Sequence, residues 1–299
     1  MKLLFIVNPI SGGVDKEPFL RKASKLCEKY GIVFKIFKTT GQHDEEMAKQ
    51  AIDSFKPDKI ASVGGDGTTL FVAILLLNSD YPMGIIPLGS ANGMATELFV
   101  NSNPIEALKD MILSEIVGGL DMILINNEHY TLHIGDVGIN ASIVDSYEQD
   151  KNRGMATYAK YFIEEMTRLK PFNVTVNANG KKVESKALMT AICNARKYGT
   201  GVPLNVIGNP MDGKFEIVLI EKVDTVSLIA AGLAALDEKF HHAQTSTVIQ
   251  TDKAEIIFDE PRLLQLDGEV IQKYEKLQVE LLKSAVKFIT TKDNSYYKN

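Results

Sequence analysis

Two hydrophobic rhythms alternate along the first 120 positions of the chain. Short apolar, β-branched runs at 2–7, 33–37, 59–63 and 83–86 read as buried strands. Between them, apolar residues recur at helical spacing. Phe19, Leu20, Ala23, Leu26, Cys27 and Tyr30 share one face, with Gly31 placed to end the helix. Met47, Ala48, Ala51, Ile52 and Phe55 mark a second helix, and 68–77 and 104–113 two more. Strand followed by helix, repeated in this way, predicts a doubly wound, mostly parallel sheet with helices on its faces.

Near Gly118-Gly119 the texture changes to strands. Residues 120–125 and 129–134, separated by Asn126-Asn127, have the spacing and turn residues of a hairpin. Further strands are expected at 173–176, 187–193, 215–220, 255–258 and 263–266, while helical spacing returns only at 155–169 and 226–240. A second, mainly antiparallel domain follows, so the expected division is 1–119 and 120–282. The tail 290–299 reads as disordered, and the chain has no repeat or low-complexity stretch.

Composition narrows the class. A chain of 299 residues favours two domains, and 45% hydrophobic with 24% charged residues is ordinary for a globular protein. The net charge of −5 gives no overall attraction to nucleic acid. Cys27 and Cys193 stand far apart without metal-ligand spacing, which argues against a disulfide framework or zinc site and fits a reducing, cytoplasmic setting. The apolar N-terminal run stops at Asn8-Pro9 and reads as a strand rather than a signal peptide. The apolar stretches at 70–77 and 228–236 fall well short of the ~20 residues that span a bilayer.

The sharpest chemical signal is Gly64-Gly65-Asp66-Gly67-Thr68, between an expected strand and an expected helix. Glycines there let backbone N–H groups approach phosphate oxygens, and the helix N-terminus adds partial positive charge. Asp66 beside phosphates implies a divalent cation, or else it only caps the helix. Two more glycine-bearing loops, Asn8-Pro9-Ile10-Ser11-Gly12-Gly13 and Pro87-Leu88-Gly89-Ser90-Ala91-Asn92-Gly93, follow strands where such a sheet places its ligand crevice. Each alone is also ordinary turn chemistry. Late in the chain, Leu266-Asp267-Gly268-Glu269 sets two carboxylates around a glycine, either converging as a proton acceptor site or forming a solvated turn. His241-His242 has no partner spacing and reads as surface.

Taken in order, these segments resemble the diacylglycerol kinase catalytic family, especially bacterial soluble lipid kinases. The resemblance also rests on Gly138-Ile139-Asn140-Ala141 and Asp212-Gly213. It implies an α/β domain of the NAD kinase and diacylglycerol kinase type, then a β-sandwich domain, with the catalytic cleft between them and 283–299 returning to the first. It implies ATP phosphates on Gly64, Gly65, Asp66, Gly67 and Thr68, with Asp66 near Mg²⁺. Asn8, Ser11, Gly12, Gly89, Ser90 and Asn92 line the nucleotide site in this reading. In this reading Asp267 is the base for a lipid hydroxyl, Glu269 supports it or binds metal, and Asp212, with backbone carbonyls near Asn209 and Lys214, resembles a structural magnesium site. The implied partner is diacylglycerol or a related lipid, met transiently at a membrane surface; Lys151, Arg153 and Lys160 are contact candidates or else a solvated helix face. A homodimer is left open. The chain departs from the family pattern at Gly93 and Asn140, each an acid in relatives. Two rivals therefore stand: a kinase of a soluble acceptor such as NAD, and a nucleotide-binding module with weak or no transfer.

Overall fold

Apolar strands buried on both faces organise the first unit, which comprises Met1–Leu120 and Lys283–Asn299. Its sheet contains β1 (Lys2–Val7), β2 (Val33–Lys38), β3 (Lys59–Gly64) and β4 (Met83–Pro87) in the order β4-β3-β1-β2, all parallel. Phe288, near the end of the chain's last strand, extends the sheet in parallel beside Met83. Leu3, Phe5 and Val7 face the helices α1 (Glu17–Lys29) and α5 (Pro104–Leu113) in one hydrophobic cluster. The alternate residues Leu4 and Ile6 are equally buried, and α2 (Asp44–Phe55) and α3 (Asp66–Leu75) pack on each other and on β1 and β3. Helices therefore cover both faces, the burial that apolar parallel strands require. The computed structural model describes residues 1–138, 170–197, 204–205, 207–223 and 244–297.

Helix ends follow local chemistry. Gly31, at φ 62°, ends α1, with Ile32 N–H returning to Cys27 O at 2.8 Å. Asn103 caps α5 by accepting from the amides of Ile105 and Glu106, ahead of Pro104 in the first turn. At the other end of α5, the Lys59 ammonium donates to the carbonyls of Met111, Ile112 and Ser114 at 2.9, 3.2 and 2.8 Å. Burial pushes the Lys59 pKa below its ordinary value, against the pull of Glu115 and Asp58.

The second unit, Asp121–Leu282, is antiparallel. The hairpin of β5 (Val117–Ile125) and β6 (His129–Thr131) turns through Asn126 and Asn127, both left-handed. It is followed by β7 (Ile134–Val137), β8 (Phe172–Ala178), β9 (Lys181–Ala187), β10 (Met189–Cys193), β11 (Phe215–Val223), β12 (Gln244–Thr251), β13 (Lys253–Leu266) and β14 (Glu269–Ile289). One face of the path β12-β11-β10-β7-β13-β14 and the β8-β9 arm share a core containing Phe172, Phe215, Ile217, Ile256, Leu264 and Leu277. The strand β13 serves both arms of this sandwich. Its first half pairs with β8 and its last residues with β7, with a register shift between Ile257 and Arg262 that lets it bend.

Several expectations need correction. The strand expected at 129–134 breaks at Leu132-His133 into β6 and β7. The separate runs 255–258 and 263–266 are one strand, β13. Strands β9 and β12, and most of β14, escape hydrophobic reading because KKVESKA, QTSTVIQT and the charge-rich start of β14 carry few apolar residues. The tail is ordered through 297: Asn294 is buried and its side chain donates to Thr290 Oγ1 at 2.9 Å. Short-range amide and hydroxyl bonding of that kind leaves no hydrophobic period. The helices expected at 155–169 and 226–240, residues 139–141, Lys151, Arg153, Lys160 and His241-His242 lie outside the described residues. Among the described residues no helix is long and apolar enough to cross a membrane.

Both cysteines are fully buried. Burial, aided by Glu28, pushes the Cys27 thiol up to about 11, and burial raises Cys193 well above its ordinary value. At pH 8 the native protein is therefore expected to react with Ellman's reagent roughly 10- to 100-fold more slowly than the unfolded chain. A rapid native reaction of either thiol contradicts this packing.

Candidate active site

Three loops of the first unit leave the carboxyl ends of neighbouring strands and meet backbone to backbone. Asn8 N–H after β1 donates to Val63 O at 3.1 Å, and Leu88 N–H after β4 donates to Gly64 O at 2.9 Å. Ser11 Oγ accepts from Gly65 N–H at 2.9 Å. A Cβ on Gly89 would stand 2.2 Å from Gly65 Cα, and one on Gly12 2.7 Å from the Gly89 carbonyl carbon. Gly12 also sits at φ 64°, so glycine answers both conformation and space there. Beside this junction Gly67 is exposed, with open space around its Cα.

At Gly65-Asp66 the chain enters α3 with no side chain among the described residues capping its N-terminus. The bond from Thr69 N–H to Gly65 O, at 3.0 Å, is where helical pairing starts. The amides of residues 66–68 therefore precede the intrahelical ladder. The hydroxyl of Thr68 is buried, with no hydrogen-bond partner among the described residues. Asp66 does not cap its own helix, the simpler of the two roles considered for it. Its carboxylate reaches across to accept from Gly93 and Met94 N–H, each at 2.9 Å, and so caps α4 (Gly93–Glu97).

The remaining loop residues hold shape. Asn92, left-handed at φ 54°, accepts from Gly89 N–H at 2.8 Å and donates to Gly89 O at 3.1 Å, closing the loop that exposes Ser90. Asn8 Oδ1 accepts from Ile10 N–H at 3.2 Å in an Asx turn. Lys16, which sequence reading passed over, is buried and donates to the carbonyls of Ser11 and Val14. Burial lowers its pKa, with Asp15 opposing. Next to the junction lies a cleft of about 440 Å³ lined by Asn8, Pro9, Ile10, Thr39, Thr40, Gly41, Asp44, Gly67, Thr68 and Phe71. The stretch Thr39 to Asp44 was also missed, although its place after β2 on the same sheet edge was a usable signal. Desolvation pushes the Asp44 carboxyl up, but hydrogen bonds from the amides of Thr40 and Gly41 and from the Thr40 hydroxyl together hold it below its ordinary value.

In the second unit, Asp267 and Gly268 form a two-residue hairpin turn, both at positive φ, between paired Leu266 and Glu269. The Asp267 carboxylate is not simply solvated. Oδ1 accepts from Thr131 Oγ1 at 2.8 Å and Ile134 N–H at 3.2 Å, and Oδ2 from Leu132 N–H at 3.4 Å. The break between β6 and β7 supplies these amides. Glu269 is exposed at the start of β14, next to Gly268 in the turn.

Asn209, Asp212 and Lys214 lie together in a turn. Asn209 Oδ1 accepts from Met211 N–H at 3.0 Å and Asp212 Oδ1 from Lys214 N–H at 2.9 Å. The fully buried Asp121, unnoticed in the sequence, accepts from Gly213 N–H at 2.7 Å. An acid inside the apolar run of β5 was the available clue. Among the described residues, no three His, Cys, Asp or Glu side chains cluster closely enough to hold a metal.

A glycine-walled junction opening on a helix N-terminus, in an α/β unit joined to an antiparallel sandwich, is an arrangement suited to an anion. Residues 2–123 match the diacylglycerol kinase catalytic domain, and residues 135–290 match the YegS C-terminal NAD kinase beta sandwich-like domain. The chain belongs to this diacylglycerol kinase-like family and is a phosphotransferase. It is 22% identical to the diacylglycerol kinase of Bacillus subtilis over 88% of each chain. It is 27% identical to a "Probable lipid kinase YegS-like" protein of Yersinia enterocolitica, over 89% of this chain and 90% of the relative. A crystal structure of a diacylglycerol kinase from Bacillus anthracis shares the fold, with a TM-score of 0.73 at 22% identity over 98% of each chain.

The glycine junction makes a paired prediction. Gly89→Ala forces a methyl into the Gly65 backbone and is expected to destabilise the protein by about 2 kcal/mol or more in urea unfolding. Gly67→Ala, which meets open space, is expected to change stability by less than about 1 kcal/mol. Equal effects would contradict the contact.

Proposed function

We propose that this chain transfers the γ-phosphoryl group of ATP to the hydroxyl of diacylglycerol or a related lipid. The observation that carries the reading is the meeting of Gly12, Gly65 and Gly89, which leaves a main-chain surface at the start of α3. Backbone amides at 66–68, at the uncapped start of α3, suit the oxygens of a polyphosphate. Asn8, Ser11, Gly12, Gly89, Ser90 and Asn92 shape the nucleotide site in this reading, and the adjoining cleft past Thr39 to Asp44 has room for the rest of the nucleotide.

Each oxygen of Asp66 accepts one amide and keeps lone-pair capacity. That fits a Mg²⁺ held chiefly by phosphates and water, which dedicates one or two carboxylates rather than a cage. Bound there, Mg²⁺ neutralises charge on the transferring phosphoryl group. Asp212, with its neighbours Asn209 and Lys214, is the proposal for a structural Mg²⁺, its turn braced by Asp121.

Asp267 is the proposed base for the acceptor hydroxyl. Its three described donors fix the carboxylate's orientation, which positioned proton transfer requires. Glu269, exposed beside it in sequence, is assigned a supporting role at most. The lipid is met transiently at a membrane surface by a cytoplasmic enzyme.

Asp267→Asn retains the left-handed turn, which Asn tolerates, and removes the base. It is expected to lower turnover about 10²- to 10⁴-fold in a labelled-ATP assay on a lipid panel, with ATP-dependent thermal stabilisation unchanged. A rate within a few-fold of wild type removes Asp267 from this role. Phosphorylation of NAD in place of every lipid favours the soluble-acceptor rival.

A further inference from the structure

The helix α4 is five residues long, too short to hold itself, and it is gripped at both ends. Its N-terminal amides, Gly93 and Met94, are held by Asp66. Its last residue, Glu97, is buried and accepts a hydrogen bond from the hydroxyl of Tyr296, a residue 199 positions later. Tyr296 also sets its ring edge-on to Phe99, with centroids 5.6 Å apart. Phe99 stands at φ 58°, a conformation unfavourable for a bulky residue, so its surroundings must impose it. Val100 N–H to Ala95 O at 2.8 Å and Phe99 N–H to Thr96 O at 3.2 Å complete the C-terminal end of α4.

The tail that presents Tyr296 is itself built. Following β14, it winds around buried Asn294, whose side chain donates to Thr290 Oγ1 at 2.9 Å and accepts from Tyr296 N–H at 3.0 Å. Tyr297 N–H donates to Asn294 O at 3.1 Å. Thr290 N–H in turn donates to Ile116 O at 3.1 Å, fixing the start of the tail to the first unit.

We propose that the C-terminal tail is a positioning element for the nucleotide site: through Glu97, Tyr296 fixes α4, and α4 fixes Asp66 and the Gly89–Asn92 loop. Tyr296 touches no reacting atom in this scheme. Loss of its hydroxyl loosens the C-terminal grip on α4 and so slackens the amides that hold Asp66. The inference rests on the reading of the glycine junction as an ATP site.

The test compares full-length wild type with Tyr296→Phe in steady-state kinetics with ATP and a lipid acceptor, alongside amide hydrogen exchange without nucleotide. The expected result is an ATP KM raised about five- to tenfold, with kcat at saturating ATP and the acceptor KM within twofold. Faster exchange at Gly93 and Met94 should accompany it. A merely structural tail would lower the melting temperature while leaving the ATP KM untouched, and that result overturns the proposal. Should Tyr296→Phe not fold, Glu97→Gln weakens the same bond and is read the same way. Wild type with no ATP dependence overturns the nucleotide reading and this proposal together. An ATP-dependent wild type with an unchanged variant overturns this proposal alone.

Discussion

Closeness of backbone to backbone is the constraint on which the first unit depends. Where Gly12, Gly65 and Gly89 meet, Gly12 and Gly89 leave no room for a Cβ and Gly65 little, so the walls of the cradle are main chain. Everything nearby serves that approach. Ser11 ties one loop to the next through Gly65, Asn92 closes the third loop on Gly89, and Lys16 holds the first through the carbonyls of Ser11 and Val14. Asp66 then binds the start of α3 to the start of α4, so two helix N-termini share one anchor.

The second unit solves a different problem with similar means. A break between β6 and β7 turns the amides of Leu132 and Ile134 toward Asp267, and the tight Asp267-Gly268 turn holds that carboxylate against them. Fixed orientation comes from irregular backbone at the edge of a regular sandwich. The hydrophobic cluster around Phe172, Phe215 and Ile256 keeps that irregularity local, because the strands on either side of it are buried and in register.

Legibility in the sequence followed hydrophobic content. Strands β1, β3 and β4 are largely apolar runs, and Gly31 signals the end of α1, so the α/β pattern could be read from spacing alone. The polar strands β9 and β12 could not, since edge positions ask little of side chains. The glycine loops could be read as turns at the ends of strands. Their bonding did not: Asp66 finds its partners 27 and 28 residues away, Thr131 meets Asp267 across 136 positions, and Tyr296 meets Glu97 across 199. Such pairings depend on tertiary placement, which no local period encodes. The buried acid Asp121 and buried Lys16 stood out only as charges near apolar neighbours, a signal too weak without coordinates.

The most direct measurement is amide chemical-shift mapping of the isotope-labelled protein titrated with a non-hydrolysable ATP analogue and Mg²⁺. The largest perturbations are predicted at Gly12, at residues 65–68 and at Gly89, the groups that wall the cradle. Saturable binding that leaves those amides unmoved and perturbs another part of the molecule would contradict the central claim.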